Sequence, residues 1–97
     1  MKYEYVTFRK IKSKWESDPE VPTLNFTNKA KAQDHIIGRH DLWHGLGWSG
    51  SHVKSVTRLC KGGDKKDTEG FDYFFDYTYA PTATTRIRCR EAIRRTK

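Results

Sequence analysis

The sequence predicts an α+β fold: a small antiparallel sheet of three or four strands with one main helix packed on it. Residues 71–79 alternate in the manner of a strand, and residues 3–8 are rich in aromatic and β-branched types. Residues 28–37 carry a helical pattern. At 97 residues the chain has no room for two cores, so residues 1–97 are predicted to form a single domain.

The first half of the chain predicts a strand, a loop and a helix. The pattern predicts a strand over residues 3–8, with its continuation to Trp15 as a further alternative, because apolar residues recur among lysines. Residues 17–25 hold two prolines and predict a loop. Thr27 is placed as a helix N-cap and Gly38 as the C-terminal stop. Residues 39–50 are then expected to form an ordered loop with one helical turn at most.

The second half predicts further strands. Residues 51–60 are expected to form a strand, although a helix stays open, and to pair as a hairpin with residues 71–79 across the glycine-containing loop 61–70. Residues 84–90 alternate again, and residues 91–97 are expected to end as a helical turn. A helix through the last fifteen residues is the alternative.

The strand at residues 71–79 is predicted to have two partly apolar faces, which indicates a central strand or a strand covered by a partner. One face would carry Phe71, Tyr73, Phe75, Tyr77 and Tyr79, and the other Asp72, Phe74, Asp76 and Thr78.

The net charge of +7 is concentrated at the two ends of the chain. Residues 1–16 hold five basic and two acidic residues, residues 86–97 hold six basic and one acidic, and residues 17–85 hold eight basic and nine acidic. If the fold brings both ends together, they form one positive surface.

Arginines in the C-terminal segment are the strongest candidate binding residues. On a strand, Arg86, Arg88 and Arg90 would project from one face, with Ile87 and Cys89 facing the core. Arginine pairs in a fork with phosphate or carboxylate, so the row would bind a nucleic-acid backbone or an acidic protein surface. A solvated strand edge is the alternative. The predicted partner-binding residues are Arg86, Arg88, Arg90, Arg94, Arg95, Arg9, Lys10, Lys12, Lys14, Trp43, Trp48 and Pro81.

The tryptophan- and glycine-rich segment from Trp43 to Trp48 has two readings. Its large apolar side chains predict either a lid on the core or a protein-binding hot spot, since tryptophan and arginine dominate such hot spots.

Catalytic and metal motifs are weak in this sequence, so we expect a binding protein without enzyme activity, cofactor or metal. His40 and His44 have a spacing seen in zinc sites, and His35 and His52 lie nearby. No Cys-x-x-Cys or His-Glu-x-x-His accompanies them. A small metal-dependent nuclease is therefore the last of three functional hypotheses.

Cysteine usage and hydropathy indicate the compartment. Cys60 and Cys89 are expected to be free, partly buried thiols, with a disulfide between neighbouring strands as the alternative. No stretch is long and apolar enough to span a membrane, and residues 1–5 contain no apolar signal region. The expected location is the cytoplasm.

In size, charge and lack of a catalytic signature, the chain resembles the small early proteins of tailed phages that redirect host enzymes. Over its whole length it is similar to the anti-RecBCD proteins of lambdoid phages. The resemblance implies a protein that binds the host RecBCD helicase–nuclease and modifies it to favour phage recombination. It also implies binding of a host prolyl isomerase, with Pro81 as the first docking candidate and Pro19 or Pro22 next.

Two binding hypotheses therefore precede the nuclease. The first is a modulator or inhibitor of a host DNA-processing enzyme, RecBCD, that acts by protein–protein contact. The second is a DNA- or RNA-binding module that uses the basic termini, whose affinity would fall steeply with salt.

Overall fold

The computed structural model describes residues 2–18, 21–48, 52–62, 70–82 and 84–96. It confirms the α+β class, with one helix and an open antiparallel sheet in these residues. The sheet has more strands than the three or four predicted, because hairpins and short strands extend its edges. The elements are β1 (Lys2–Ile11), β2 (Lys14–Ser17), β3 (Leu24–Phe26), α1 (Lys29–Trp48), β4 (Val53–Lys54), β5 (Phe71–Tyr79) and β6 (Ile87–Thr96).

The strand order β2-β1-β6-β5-β4 places the two ends of the chain side by side, and β3 also pairs with β1. β1 and β6 pair antiparallel from Lys2↔Thr96 to Arg9↔Cys89. The predicted helical turn at residues 91–97 is therefore wrong, as is the all-helical alternative. The alternation of β6 continues through Glu91 and Ile93, both fully buried on the side of the helix.

A tight turn interrupts the strand that we expected to continue to Trp15. β1 ends at Ile11 and β2 begins at Lys14, and Lys12 and Ser13 have φ angles of 49° and 70°. Two consecutive residues with positive φ are typical of a type I′ hairpin turn. Lys-Ser lacks the Asn-Gly signature of that turn, so the sequence pattern did not reveal it.

The helix is about twice as long as predicted, because it passes through Gly38 and includes the segment expected to be a loop. Asn28 is its N-cap in place of Thr27: the Asn28 Oδ1 accepts hydrogen bonds from the amides of Ala30, at 2.8 Å, and Lys31, at 3.3 Å. Ala32 and Ile36 are fully buried, so packing on the sheet outweighs the cost of a helical glycine, about 1 kcal/mol.

The segment at residues 51–60 forms less strand than expected. β4 pairs antiparallel with β5 at Val53↔Tyr79 and Lys54↔Thr78, as the hairpin prediction required. Ser55 then has a φ of 53°, and a single bridge from Cys60 to Phe74 follows. The middle of the predicted loop 61–70 lies outside the described residues, as do residues 49–51.

β5 matches the predicted strand in its bounds but departs from it in one side chain. The register with β6 shifts between Phe71 and Tyr73, as at a β-bulge. Phe71 lies opposite Arg94 and therefore shares a face with Phe74, whereas it was expected beside Tyr73.

The core lies between α1 and one face of the sheet. Its side chains come from β1, β4, β5 and β6, and two from α1 pack against them: Tyr3, Tyr5, Ala32, Ile36, Val53, Phe75, Tyr77 and Ile93. Within the described residues, no helix combines the length and the apolar content that crossing a membrane requires.

Candidate functional site

The sheet face turned away from α1, here called the open face, carries a regular array of aromatic and charged side chains. Three rows cross it from β1 through β6 to β5, as the pairing registers show. The rows are Glu4–Arg94–Phe71, Val6–Ala92–Phe74 and Phe8–Arg90–Asp76. Lys10, Trp15, Thr78 and Arg88 continue this face toward the β1–β2 turn.

Arg90 is held tightly within this array. Only 5% of it is exposed, and its guanidinium forms a bidentate pair with Asp76 at 2.7 and 3.0 Å. The guanidinium carbon lies 4.3 Å from the ring centroid of Trp15 and 4.9 Å from that of Phe74. Arg90 shares this face with Arg88, as predicted, with Ile87 and Cys89 on the other face. Its burial and its pairing with Asp76 leave it little exposed to a partner, and it organises two aromatic rings instead.

Three phenylalanines lie close to one another on the open face. The Phe71 ring centroid is 5.7 Å from that of Phe8 and 6.0 Å from that of Phe74. Arg94 donates a hydrogen bond to Glu4 and lies 6.0 Å from the Phe8 ring. The three rings are partly exposed, while Val6 and Ala92 of the same face are buried.

A cluster of cations, here called the basic end, lies where β1 turns into β2 and β6 begins. Antiparallel pairing of Arg9 with Cys89 brings these two segments together, which is the condition under which the two basic ends were expected to form one surface. Lys10 and Arg88 lie 5.6 and 5.8 Å from the Trp15 ring centroid. Within the part of the chain that the structure describes, none of these cations forms an ion pair. The basic end consists of Lys10, Lys12, Lys14, Arg86 and Arg88.

The other predicted cations are distributed differently. Arg94 belongs to the open face, while Arg9 and Arg95 alternate onto the face that α1 covers. Arg9 is half-buried, and its Nε has no hydrogen-bond partner among the described residues. The predicted set thus splits between both faces of the sheet.

The covered face contains a buried carboxylate, Glu91, that no sequence motif indicated. Arg39 donates to it twice, at 2.8 and 3.1 Å, and the Tyr77 hydroxyl donates at 3.1 Å. The Tyr5 hydroxyl and the Trp43 indole also donate to Glu91. All these donors converge on one side chain, which is fully buried.

Burial and the neighbouring carboxylate change the acidity of these donors. Burial raises the pKa of both Tyr5 and Tyr77 above the ordinary value, and the charge of Glu91 raises it further. The hydrogen bond to Glu91 raises the pKa of Arg39. The tyrosines therefore stay protonated donors, and the cluster joins α1 to β1, β5 and β6.

The tryptophan segment proves to be helical, and Trp43 belongs to the core side of the helix. Its ring stacks on Tyr77 with centroids 4.3 Å apart. The alternative of a core lid fits Trp43 better than a hot spot does. Trp48 ends α1, and its side chain lies outside the described residues.

The remaining predicted residues are scattered. Pro81 is partly exposed in the bend after β5, Pro22 is exposed, and Pro19 lies outside the described residues. Both cysteines are free, and burial raises the pKa of the Cys89 thiol to about 11.

The histidines do not converge on one point. The rings of His40 and His44 lie 5.9 Å apart, but His35 packs between Tyr5 and Phe26. Among the described residues, no three histidine, cysteine, aspartate or glutamate side chains form a group that could hold a metal.

Several residues of these sites escaped sequence analysis. Trp15 and Phe8 were expected only as strand residues, although the alternation of residues 71–79 did place Phe74 and Asp76 on a common face. A single glutamate within the arginine-rich C-terminal segment was the one signal for Glu91.

Comparison with protein families, with curated proteins and with solved structures finds no match to this chain. Any inference about function therefore rests on the geometry of the surfaces described above.

Proposed function

We propose that this protein binds nucleic acid, with the basic end and the open face as its binding surface. The observation that carries the proposal is a group of five cations around the β1–β2 turn and the start of β6, with no ion pair formed by any of them among the described residues. Lys10 and Arg88 lie at the end of the aromatic face against Trp15, while Lys14 pairs with Ile11 and projects from the other side of the sheet. The sequence pI of about 9.6 agrees with a domain that binds a polyanion.

The arrangement of charges favours phosphate contact at the basic end. Lys12, Lys14, Arg86 and Arg88 are exposed, so they can approach a ligand without first breaking an internal bond. Contacts with phosphates release condensed counterions, which makes such binding strongly dependent on salt. Trp43, the main candidate for a protein-binding hot spot, is instead engaged with Tyr77 and Glu91.

Fluorescence anisotropy with a labelled oligonucleotide, measured over a range of salt concentrations, tests the proposal. The double variant Lys10→Gln/Arg88→Gln should bind more weakly. The slope of log affinity against log salt concentration should become smaller by about 2, since each lost phosphate contact reduces it by about 1. Lys29→Gln/Lys31→Gln, which removes two charges from exposed positions of α1, is the matched control and should change little. Polyglutamate should compete poorly.

Two results would overturn nucleic-acid binding. One is the absence of measurable affinity at low salt. The other is equal binding to polyglutamate and to the oligonucleotide, because this would indicate a surface that recognises any polyanion, including acidic protein segments.

The second candidate function is inhibition or modulation of a host DNA-processing enzyme, RecBCD, through protein contact. The exposed forks of Arg86 and Arg88 favour it, since guanidinium pairs with protein carboxylates as readily as with phosphates. Purified RecBCD should then be retained by the tagged protein after nuclease treatment, and Arg86→Gln/Arg88→Gln should abolish retention. Loss of retention with nuclease would exclude direct contact.

A host prolyl isomerase is the further partner proposed under this second function. Pro81 is partly exposed in a bend, where an isomerase can reach it. Pro81→Ala should abolish binding of the purified isomerase, while Pro22→Ala, also at an exposed site, should not. Under either candidate function we expect the protein in the cytoplasm of the host cell.

A further inference from the structure

We infer that the ligand of the open face is single-stranded nucleic acid, with unpaired bases against Phe8, Phe71 and Phe74 and with phosphates on the basic end. This inference rests on the proposed function, and it specifies the class of nucleic acid. It follows from how charge and aromatic surface are divided along the face.

The charges beneath the aromatic part of the face are already neutralised. Arg90 is paired with Asp76, and Arg94 with Glu4. The cations of this face that form no ion pair among the described residues, Lys10 and Arg88, lie instead at the basic end, beside Trp15. Phosphates are therefore drawn to the basic end, and the phenylalanine region is left for uncharged ligand groups.

The aromatic surface is larger than the fold requires on this side. The register shift between Phe71 and Tyr73 places the Phe71 ring on the open face, although regular alternation would have directed it toward the core. β-bulges often re-aim side chains near functional sites. The result is a group of three partly exposed phenylalanines on a side of the sheet that α1 does not cover.

These rings are also held in fixed positions. Arg90 lies against Phe74 and Trp15 while it is fixed by Asp76, and Arg94 lies over Phe8 while it is bound to Glu4. Rings that are ordered before binding lose little conformational entropy on contact with a ligand. The face is therefore preorganised for stacking.

Only a single strand can use such a surface. In a duplex the bases are stacked and paired, so their planes are inaccessible to side chains on a sheet. In single strands the bases can lie against aromatic rings, and each such contact contributes about 1–3 kcal/mol, independently of sequence. From Arg88 to Arg94 the face extends about 20 Å along β6, at about 3.3 Å per residue. This length accommodates several nucleotides.

The test compares a labelled single strand of about 12 nucleotides, within the range of known single-strand sites, with the matching duplex at one salt concentration. Wild-type protein should bind the single strand at least about tenfold more tightly. Phe71→Leu and Phe8→Leu keep apolar bulk but remove a stacking plane. Each should weaken single-strand binding about fivefold or more and leave duplex binding unchanged.

Tyr79→Leu is the matched control, because it makes the same kind of change at the far end of β5, where Tyr79 is 37% exposed. Thermal unfolding of each variant shows whether it is folded. The wild-type ratio of single-strand to duplex affinity needs no variant, so it tests the inference even if the phenylalanine variants are unstable.

The outcomes separate the two proposals. Equal or tighter duplex binding, or single-strand binding unchanged in both folded phenylalanine variants, overturns the inference and leaves nucleic-acid binding in place. The absence of binding to either form overturns the proposed function and the inference together.

Discussion

Glu91 connects the helix to three strands through a single carboxylate. Its partners come from α1 (Arg39 and Trp43), from β1 (Tyr5) and from β5 (Tyr77). A buried charge is stable only when it is paired and hydrogen-bonded, and removal of one partner leaves the others unsatisfied. The arrangement therefore makes this side chain important for stability beyond its size.

We expect Glu91→Ala to lower the free energy of unfolding by about 3–5 kcal/mol, because the Arg39 charge and the tyrosine hydroxyls lose their acceptor. Urea unfolding measures the change. Glu16→Ala removes an exposed carboxylate from β2 and should change stability by no more than about 0.5 kcal/mol. A similar small loss for Glu91→Ala would mean that the cluster does not hold the helix to the sheet.

His35 should make the stability of the protein depend on pH. Burial lowers its pKa, and the positive charge of Arg39 lowers it further, while Glu91 acts in the opposite sense. Tyr5 and Phe26 are its aromatic neighbours. Because the folded state binds the proton less tightly than the unfolded state, stability is lost as pH falls below about 6.5, the ordinary histidine value.

The difference in stability between wild type and His35→Gln isolates this effect from the other three histidines. Measured by urea unfolding from pH 8 to pH 5, the wild type should lose stability more steeply than the variant below about pH 6.5. Parallel curves would show that protonation of His35 is not linked to folding.

At the scale of single elements, α1 shows how far the sequence could predict this fold. Ala32, Ile36, Trp43 and Leu46 follow helical spacing toward the core, but Arg39 interrupts the apolar stripe. A charged residue in the middle and a glycine just before it made the helix appear to end. Arg39 is tolerated there because Glu91, distant in sequence, accepts its hydrogen bonds.

The strands also show how far local sequence patterns could predict this fold. Local alternation was sufficient for β5, since its pattern is independent of partners, but it did not reveal the bulge that moves Phe71. For β6, alternation was apparent only to Arg90, because Glu91 looks exposed until its partners are known. Features that depend on contacts between distant residues could not be read from local patterns.

The glycines of α1 offer a prediction at this scale. A Cβ at Gly38 or Gly45 would meet no atom within 4 Å, so Gly38→Ala and Gly45→Ala should each stabilise the protein by about 0.5–1 kcal/mol. Each should raise the midpoint of thermal unfolding by a few degrees, at about 4–8 °C per kcal/mol.

Gly70→Ala is the control with the opposite sign. There is open space at Gly70 as well, but its φ of +84° is unfavourable for alanine, so this change should destabilise the protein. If Gly38→Ala and Gly45→Ala lowered the melting temperature, α1 would not be a continuous helix through these positions.

At the scale of the whole molecule, the sheet brings basic residues from the two ends of the sequence onto neighbouring strands. Pairing of β1 with β6 brings the basic termini together, which the charge pattern required for a single positive surface but could not itself predict. In the same arrangement Arg9 and Arg95 lie on the covered face, and Arg90 forms an ion pair with Asp76. What was predicted as a row of arginines is thus a basic end adjoining an aromatic face.

Binding of an oligonucleotide should stabilise the folded protein as a whole. A ligand that binds only the folded state at 100 times its dissociation constant adds about 2.7 kcal/mol of stability. A saturating single-stranded oligonucleotide should therefore raise the midpoint of thermal unfolding by about 10–20 °C for a domain of this size. The rise in the midpoint should become smaller as salt is added, because salt weakens binding that depends on phosphate contacts.

Lys10→Gln/Arg88→Gln should show a smaller rise than the wild type at the same oligonucleotide concentration, since its dissociation constant is larger and less of the folded state is occupied. Lys29→Gln/Lys31→Gln should show the same rise in the midpoint of unfolding as the wild type. An equal rise in the double variant, or a rise that is insensitive to salt, would show that these cations do not contact the phosphates. Loss of a cation that contacts a phosphate reduces both the affinity and its dependence on salt.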